Sequence, residues 1–118
     1  MYTCQNKGDY LLVEASGNYS LNLLVSIIHD LADRCQKENL NKALLDLRNV
    51  EGNPSILDRY RFGVEIANAW GPKIKVVTVA RPEAINKMGE NTAVNRGANV
   101  WVTSDMDIAL QWLGVENK

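Results

Sequence analysis

Leu21, Leu24, Val25, Ile28, Leu31, Ala32 and Cys35 recur at steps of three and four residues. That spacing lines side chains along one stripe of an α-helix, and Ser20 stands in front of it as an N-cap. A helix that is apolar along one stripe must be laid against a second layer, so the rest of the chain has to supply that layer. It does so with short β-prone runs. Tyr10-Leu11-Leu12-Val13-Glu14-Ala15 reads as a strand stopped by the turn cluster Ser16-Gly17-Asn18, and a shorter strand is expected near Tyr2 to Gln5, with Lys7-Gly8-Asp9 as the turn between the two.

After the first helix, Lys42 to Leu47 is an apolar run interrupted by Asp46, the pattern of a strand covered on both faces and therefore central. Val50 to Pro54 is read as its break. Helical spacing resumes with Ile56, Tyr60, Gly63, Ala67 and Trp70, flanked by Leu57, Phe62 and Ile66, and stops at Gly71-Pro72. Ile74 to Val79 is a β-branched strand ended by Arg81-Pro82. A weaker helix is expected over Glu83 to Asn95 with Ile85, Met88 and Ala93 inward, closed at Gly97; a last strand over Asn99 to Thr103 and a final helix capped by Ser104-Asp105 follow. The order β-β-α-β-α-β-α-β-α predicts an α/β fold: a mixed, mostly parallel sheet of four to five strands packed with four helices, and residues 1–118 as one domain.

Composition excludes several classes. With 118 residues, 46% hydrophobic and 23% charged, the chain is neither disordered nor fibrous, and no apolar run approaches the ~18 residues of a membrane span. Met1 to Lys7 lacks the basic start and apolar stretch of a secretory signal, so a cytoplasmic location is expected and the sequon Asn18-Tyr19-Ser20 is discarded. Thirteen Lys and Arg against fourteen Asp and Glu leave a net charge of -1, with no field to draw the chain to nucleic acid. Cys4 and Cys35 show no metal or redox spacing and are read as free thiols; the lone His29 lies off the apolar stripe, at a surface or groove edge. No metal, cofactor or catalytic motif is present, and a non-enzymatic protein is expected.

Four places carry a resemblance: the opening β pair, the long first helix, the strand-loop-helix from Leu44 to Gly63, and the closing Asp107-Ile108-Ala109-Leu110-Gln111-Trp112-Leu113-Gly114-Val115. Over nearly its whole length the chain resembles the STAS domain, the fold of sulfate transporter C-terminal domains and anti-sigma factor antagonists. Asn95-Arg96-Gly97 before the last strand is similar to single-domain bacterial STAS-like proteins, some of them compared with lipid-binding Sec14-type domains. In antagonists the loop after the central strand carries Asp-Ser-Ser/Thr-Gly, whose first Ser accepts phosphate from a partner kinase. The corresponding stretch here is Pro54-Ser55-Ile56-Leu57: Ser55 falls at the phosphoacceptor position, while the acid, the second hydroxyl and the glycine are absent.

Ser55 has two readings. It heads a capping box with Asp58, and the same helix start offers N–H donors and positive dipole to an anion. Arg48, Asn49, Glu51, Asn53, Arg59 and Tyr60 surround it as the expected interaction surface, with Arg48, Arg59 and Arg61 either forming a basic rim or pairing internally with Glu51, Asp58 and Glu65. Asp46 reads as a hydrogen-bonded group at a strand end, Arg96 as a charge on a helix C-terminus, and Trp70, Trp101 and Trp112 as core. The leading expectation is a regulatory or protein-interaction module. The alternative is a small-molecule or lipid carrier with an apolar or anionic ligand. A homodimer is also expected, because the segment Met1 to Gln5 has no charge to blunt an edge strand and Leu23 and Ile27 widen the apolar arc of the first helix.

Overall fold

A computed structural model describes residues 1–115. The hairpin β1 (Tyr2–Asn6) and β2 (Leu11–Asn18) is followed by α1 (Leu21–Lys37), β3 (Lys42–Glu51), α2 (Ile56–Trp70), β4 (Lys75–Val79), α3 (Met88–Asn95), β5 (Asn99–Thr103) and α4 (Met106–Leu113). The strands lie in the order β1-β2-β3-β4-β5, antiparallel at β1 and parallel elsewhere, with β3 in the middle as its apolar run predicts. Each of the three parallel crossovers advances one strand in the same direction, so one handedness sends α1, α2 and α3 to the same face. There Leu24, Ile28 and Leu31 of α1 meet Leu11, Val13, Ala43, Leu45 and Val76 of the sheet. On the other face α4 sets Ala109, Leu110 and Leu113 against Leu44, Val77 and Val79. The closing Leu-Gly-Val has a local cause: Gly114 takes φ +77° and its N–H and that of Val115 both reach the Leu110 carbonyl, which ends α4.

Both central strands outrun the turn signals. Ser16, Gly17 and Asn18 continue β2 by pairing with Asn49, Val50 and Glu51, which continue β3. The register shifts between Glu14 and Ser16, leaving Leu47 and Arg48 opposite Ala15 as a β-bulge. The bulge resets the alternation, so Val50 joins the core that holds Leu45. Gly17 sits there at φ +100° with open space around its missing Cβ, so the backbone angle is what calls for glycine.

Three further expectations are corrected. The segment from Glu83 does not run as one helix: Pro82–Ala84 makes a single 3-10 turn, Ile85 is extended, and α3 starts at Met88, whose N–H takes the Asn86 side-chain oxygen at 2.9 Å. Met88 is consequently exposed. On α2 the buried line is Phe62, Gly63 and Trp70, with Ile66 beside it, whereas Ile56 and Tyr60 face outward. On α1, Ile27 is fully buried and Leu23 packs on the same core, so the widened arc serves the chain's own interior. The Trp70 indole N–H donates to the Ile28 carbonyl at 2.8 Å and locks α2 to α1. Cys35 is buried, and His29 is exposed, 3.0 Å from Glu65. Among the described residues no helix is long and apolar enough to cross a membrane.

Candidate functional site

Ser55 caps α2 as its sequence suggests, with the hydroxyl accepting the Asp58 N–H at 3.1 Å in an extended backbone. The reciprocal half of the capping box is replaced. The Asp58 carboxylate instead accepts the Tyr19 hydroxyl at 2.7 Å, across from the junction of β2 and α1. Burial, then the hydrogen bond to that carboxylate, raises the Tyr19 pKa, so the phenol stays a donor at every ordinary pH. Its ring meets Phe62 edge to face at 6.0 Å.

The first turn of α2 presents apolar side chains to solvent. Ile56, Leu57 and Tyr60 are 63%, 80% and 46% exposed. Spacing alone places Ile56 and Tyr60 inward, but the line that is buried runs through Phe62, Gly63 and Trp70. Tyr60 is held from outside by Arg96, which donates to its hydroxyl at 2.9 Å with the guanidinium 5.8 Å from the ring centroid. Arg96 is the C-cap residue of α3, its backbone N–H reaching the Ala93 carbonyl at 3.1 Å as its position suggests, while its guanidinium turns away from that helix end to brace α2. Asn49, Glu51 and Asn53 are exposed; in β3, Asn49 and Glu51 flank the buried Val50 and so alternate onto the face opposite α2, which leaves Asn53 in the loop before that helix.

The basic rim does not form. Arg48 belongs to the face of the sheet covered by α4, where its guanidinium takes Asp46 at 3.0 and 2.9 Å and its N–H takes the same carboxylate at 3.0 Å. Three donors explain how Asp46 is tolerated at 5% exposure, within a strand that the bulge carries onward and not at its end. Arg59 lies on the opposite face. Its Nε and one terminal nitrogen donate to the carbonyls of Pro54 at 3.2 Å and Ala84 at 3.1 Å, bridging the segments before α2 and α3. Arg61 is exposed and has no ion pair among the described residues.

Beneath Arg59 lies a cavity of about 140 Å³ between α1, α2 and the sheet. Leu24, Ile28, Leu45, Val50, Phe62 and Ile66 are among the apolar residues of its wall, Arg59 reaches it from α2, and Tyr19 and Ile85 reach it from the loops. The carrier alternative expects a pocket between sheet and helices; which residues line it, and the role of Tyr19, are not legible in the sequence, because neither the break in the third helix nor the bulge in β3 has a local signature.

No protein-family model matches the chain, and no curated protein matches it significantly. Solved structures do. An anti-sigma factor antagonist from Mycobacterium paratuberculosis superposes with a TM-score of 0.61 at 17% identity, covering 97% of this chain and 93% of its own. The anti-sigma factor antagonist SpoIIAA in its unphosphorylated form gives 0.56 at 9% identity over 99% and 100% of the two chains. An uncharacterized protein with a SpoIIAA-like fold from Shewanella loihica gives 0.52 at 17% identity over 96% and 92%. The chain has the fold of the anti-sigma factor antagonists.

Proposed function

We propose that this chain is a non-enzymatic, cytoplasmic regulatory module, a single domain that docks on another protein through the start of α2. One observation carries the reading: Ile56, Leu57 and Tyr60 form a contiguous exposed apolar turn, braced by Arg96, on a fold shared with anti-sigma factor antagonists. Apolar side chains shown together to water at a helix start, with a Tyr and an Arg among them, have the composition of a contact hot spot. Asn53 in the loop before α2 and Arg59 within the helix supply polar neighbours. Pro54-Ser55-Ile56-Leu57 lacks the antagonist phosphoacceptor motif, so docking here is constitutive and Ser55 works as a cap. Photo-crosslinking tests this: a crosslinker at position 57 should trap one discrete protein in the source cells, and a crosslinker at the exposed position 111 on α4 should not. Equal trapping from both positions would contradict it.

A two-fold homodimer belongs to the same proposal and now rests on β1 alone. Met1 and Ser16 exchange backbone hydrogen bonds, at 2.9 and 3.2 Å, so by the antiparallel alternation the N–H and C=O groups of Tyr2 and Cys4 point away from β2 and are open to a second strand. Light scattering at micromolar concentration should give twice the 13.2 kDa of the chain; a mass of one chain would remove the dimer.

A further inference from the structure

We infer that the cavity under α2 is a binding site for a small amphipathic carboxylate, an acyl or ring tail of six to eight carbons in the chamber and its carboxylate on Arg59. Close-packed interiors leave few voids, and an apolar one near 150 Å³ stays dry and admits a six-carbon ring. This chamber, at about 140 Å³, is of that size, is partly open to solvent, and has Leu24, Ile28, Leu45, Val50, Phe62 and Ile66 among its lining residues.

The charge at its lip selects the head group. Two ionic side chains reach the cavity, Glu90 and Arg59. Glu90 is already satisfied, paired with Lys87 at 2.8 Å and accepting the Val102 N–H at 3.3 Å. Arg59 is half-buried and has no carboxylate partner among the described residues, and its two bonds to the Pro54 and Ala84 carbonyls use two of five donors. A partly desolvated guanidinium with donors to spare takes an oxyanion more strongly than a neutral group. The two carbonyls it holds belong to loops on either side of the cavity, so a bound carboxylate would sit where those loops meet.

Amide NMR titration of the full chain with octanoate and with 1-octanol tests this. Octanoate should shift the Trp70 indole and the amides of Ile28, Leu45 and Phe62 in a saturable 1:1 manner, about tenfold or more tighter than octanol. Arg59→Gln should bring octanoate down to the octanol value, and Arg59→Lys should restore most of the difference. Leu47→Trp, which fills the chamber from β3, should abolish both titrations. Absence of shifts with either probe would overturn the site, and equal affinities in the parent protein would overturn the carboxylate assignment even if the Arg59 variants failed to fold. Binding that survives Leu47→Trp would overturn the cavity as its location.

Discussion

The Tyr19 hydroxyl and the Asp58 carboxylate, 39 residues apart in sequence, meet at 2.7 Å and tie the end of the first parallel strand to the first turn of α2. The bond fixes where α2 begins in space, because Asp58 also gives its N–H to the Ser55 cap. One turn of helix is thus held from two sides by polar groups, which frees Ile56 and Leu57 from any structural duty and leaves them facing water.

Ser55→Ala should lower stability by about 1 kcal/mol with the fold unchanged, since it removes the acceptor for the Asp58 N–H. Ser55→Asp should cost close to nothing, because Asp caps as well as Ser and adds charge at the favourable end of the helix dipole. Chemical denaturation of the three proteins measures both. A parent-like midpoint for Ser55→Ala would contradict the capping role.

Gly63 is where α2 and α3 come closest. A Cβ there would lie 2.5 Å from Thr92 Cβ and 2.7 Å from the Gly89 carbonyl oxygen. The second neighbour is backbone, so trimming Thr92 alone does not make room. Gly63→Ala should therefore destabilise by about 1–3 kcal/mol despite the better helix propensity of alanine, and Thr92→Ala should rescue only part of that loss. A neutral or stabilising Gly63→Ala in thermal unfolding would show that the two helices pack less closely.

Burial pushes the Cys35 thiol up to about 11, with Glu38 and Cys4 adding smaller contributions. An acid raised on folding favours the native state while it stays protonated, so its contribution is intact below the unfolded thiol's ordinary value and is lost as pH rises toward 11. The denaturation midpoint should fall between pH 8.5 and 10.5 more steeply in the parent than in Cys35→Ala. Identical slopes would contradict the assignment. Iodoacetamide at pH 8 should likewise modify Cys35 only in denaturant.

Much of this architecture is legible in the residues. The stripe from Leu21 to Cys35 and the apolar run from Ala43 to Leu47 specify one helix and one central strand, and short connections then leave little freedom in topology. What escapes sequence is set by partners distant along the chain. Ser16-Gly17-Asn18 has turn composition, yet it pairs as strand because Asn49 to Glu51 lie alongside. Arg48 and Arg59 flank one loop in sequence, but the alternation of a strand puts one guanidinium on the face of α4 and the helix puts the other above the cavity. Ile56 and Tyr60 satisfy a helical spacing that Phe62, Ile66 and Trp70 satisfy equally, and only the position of the sheet decides which line is inside. Ser55 was readable because an N-cap is a local device.

The exposed turn at Ile56 and Leu57 is proposed as a docking surface. Its most direct test is the affinity of the protein trapped from position 57 for purified parent, Leu57→Glu and Gln111→Glu chains, measured by isothermal titration calorimetry with thermal unfolding alongside. Leu57 is 80% exposed, so the charge should leave the melting temperature unchanged while weakening binding at least ~10-fold, with Gln111→Glu binding as the parent does. Equal affinities for all three chains would contradict the claim.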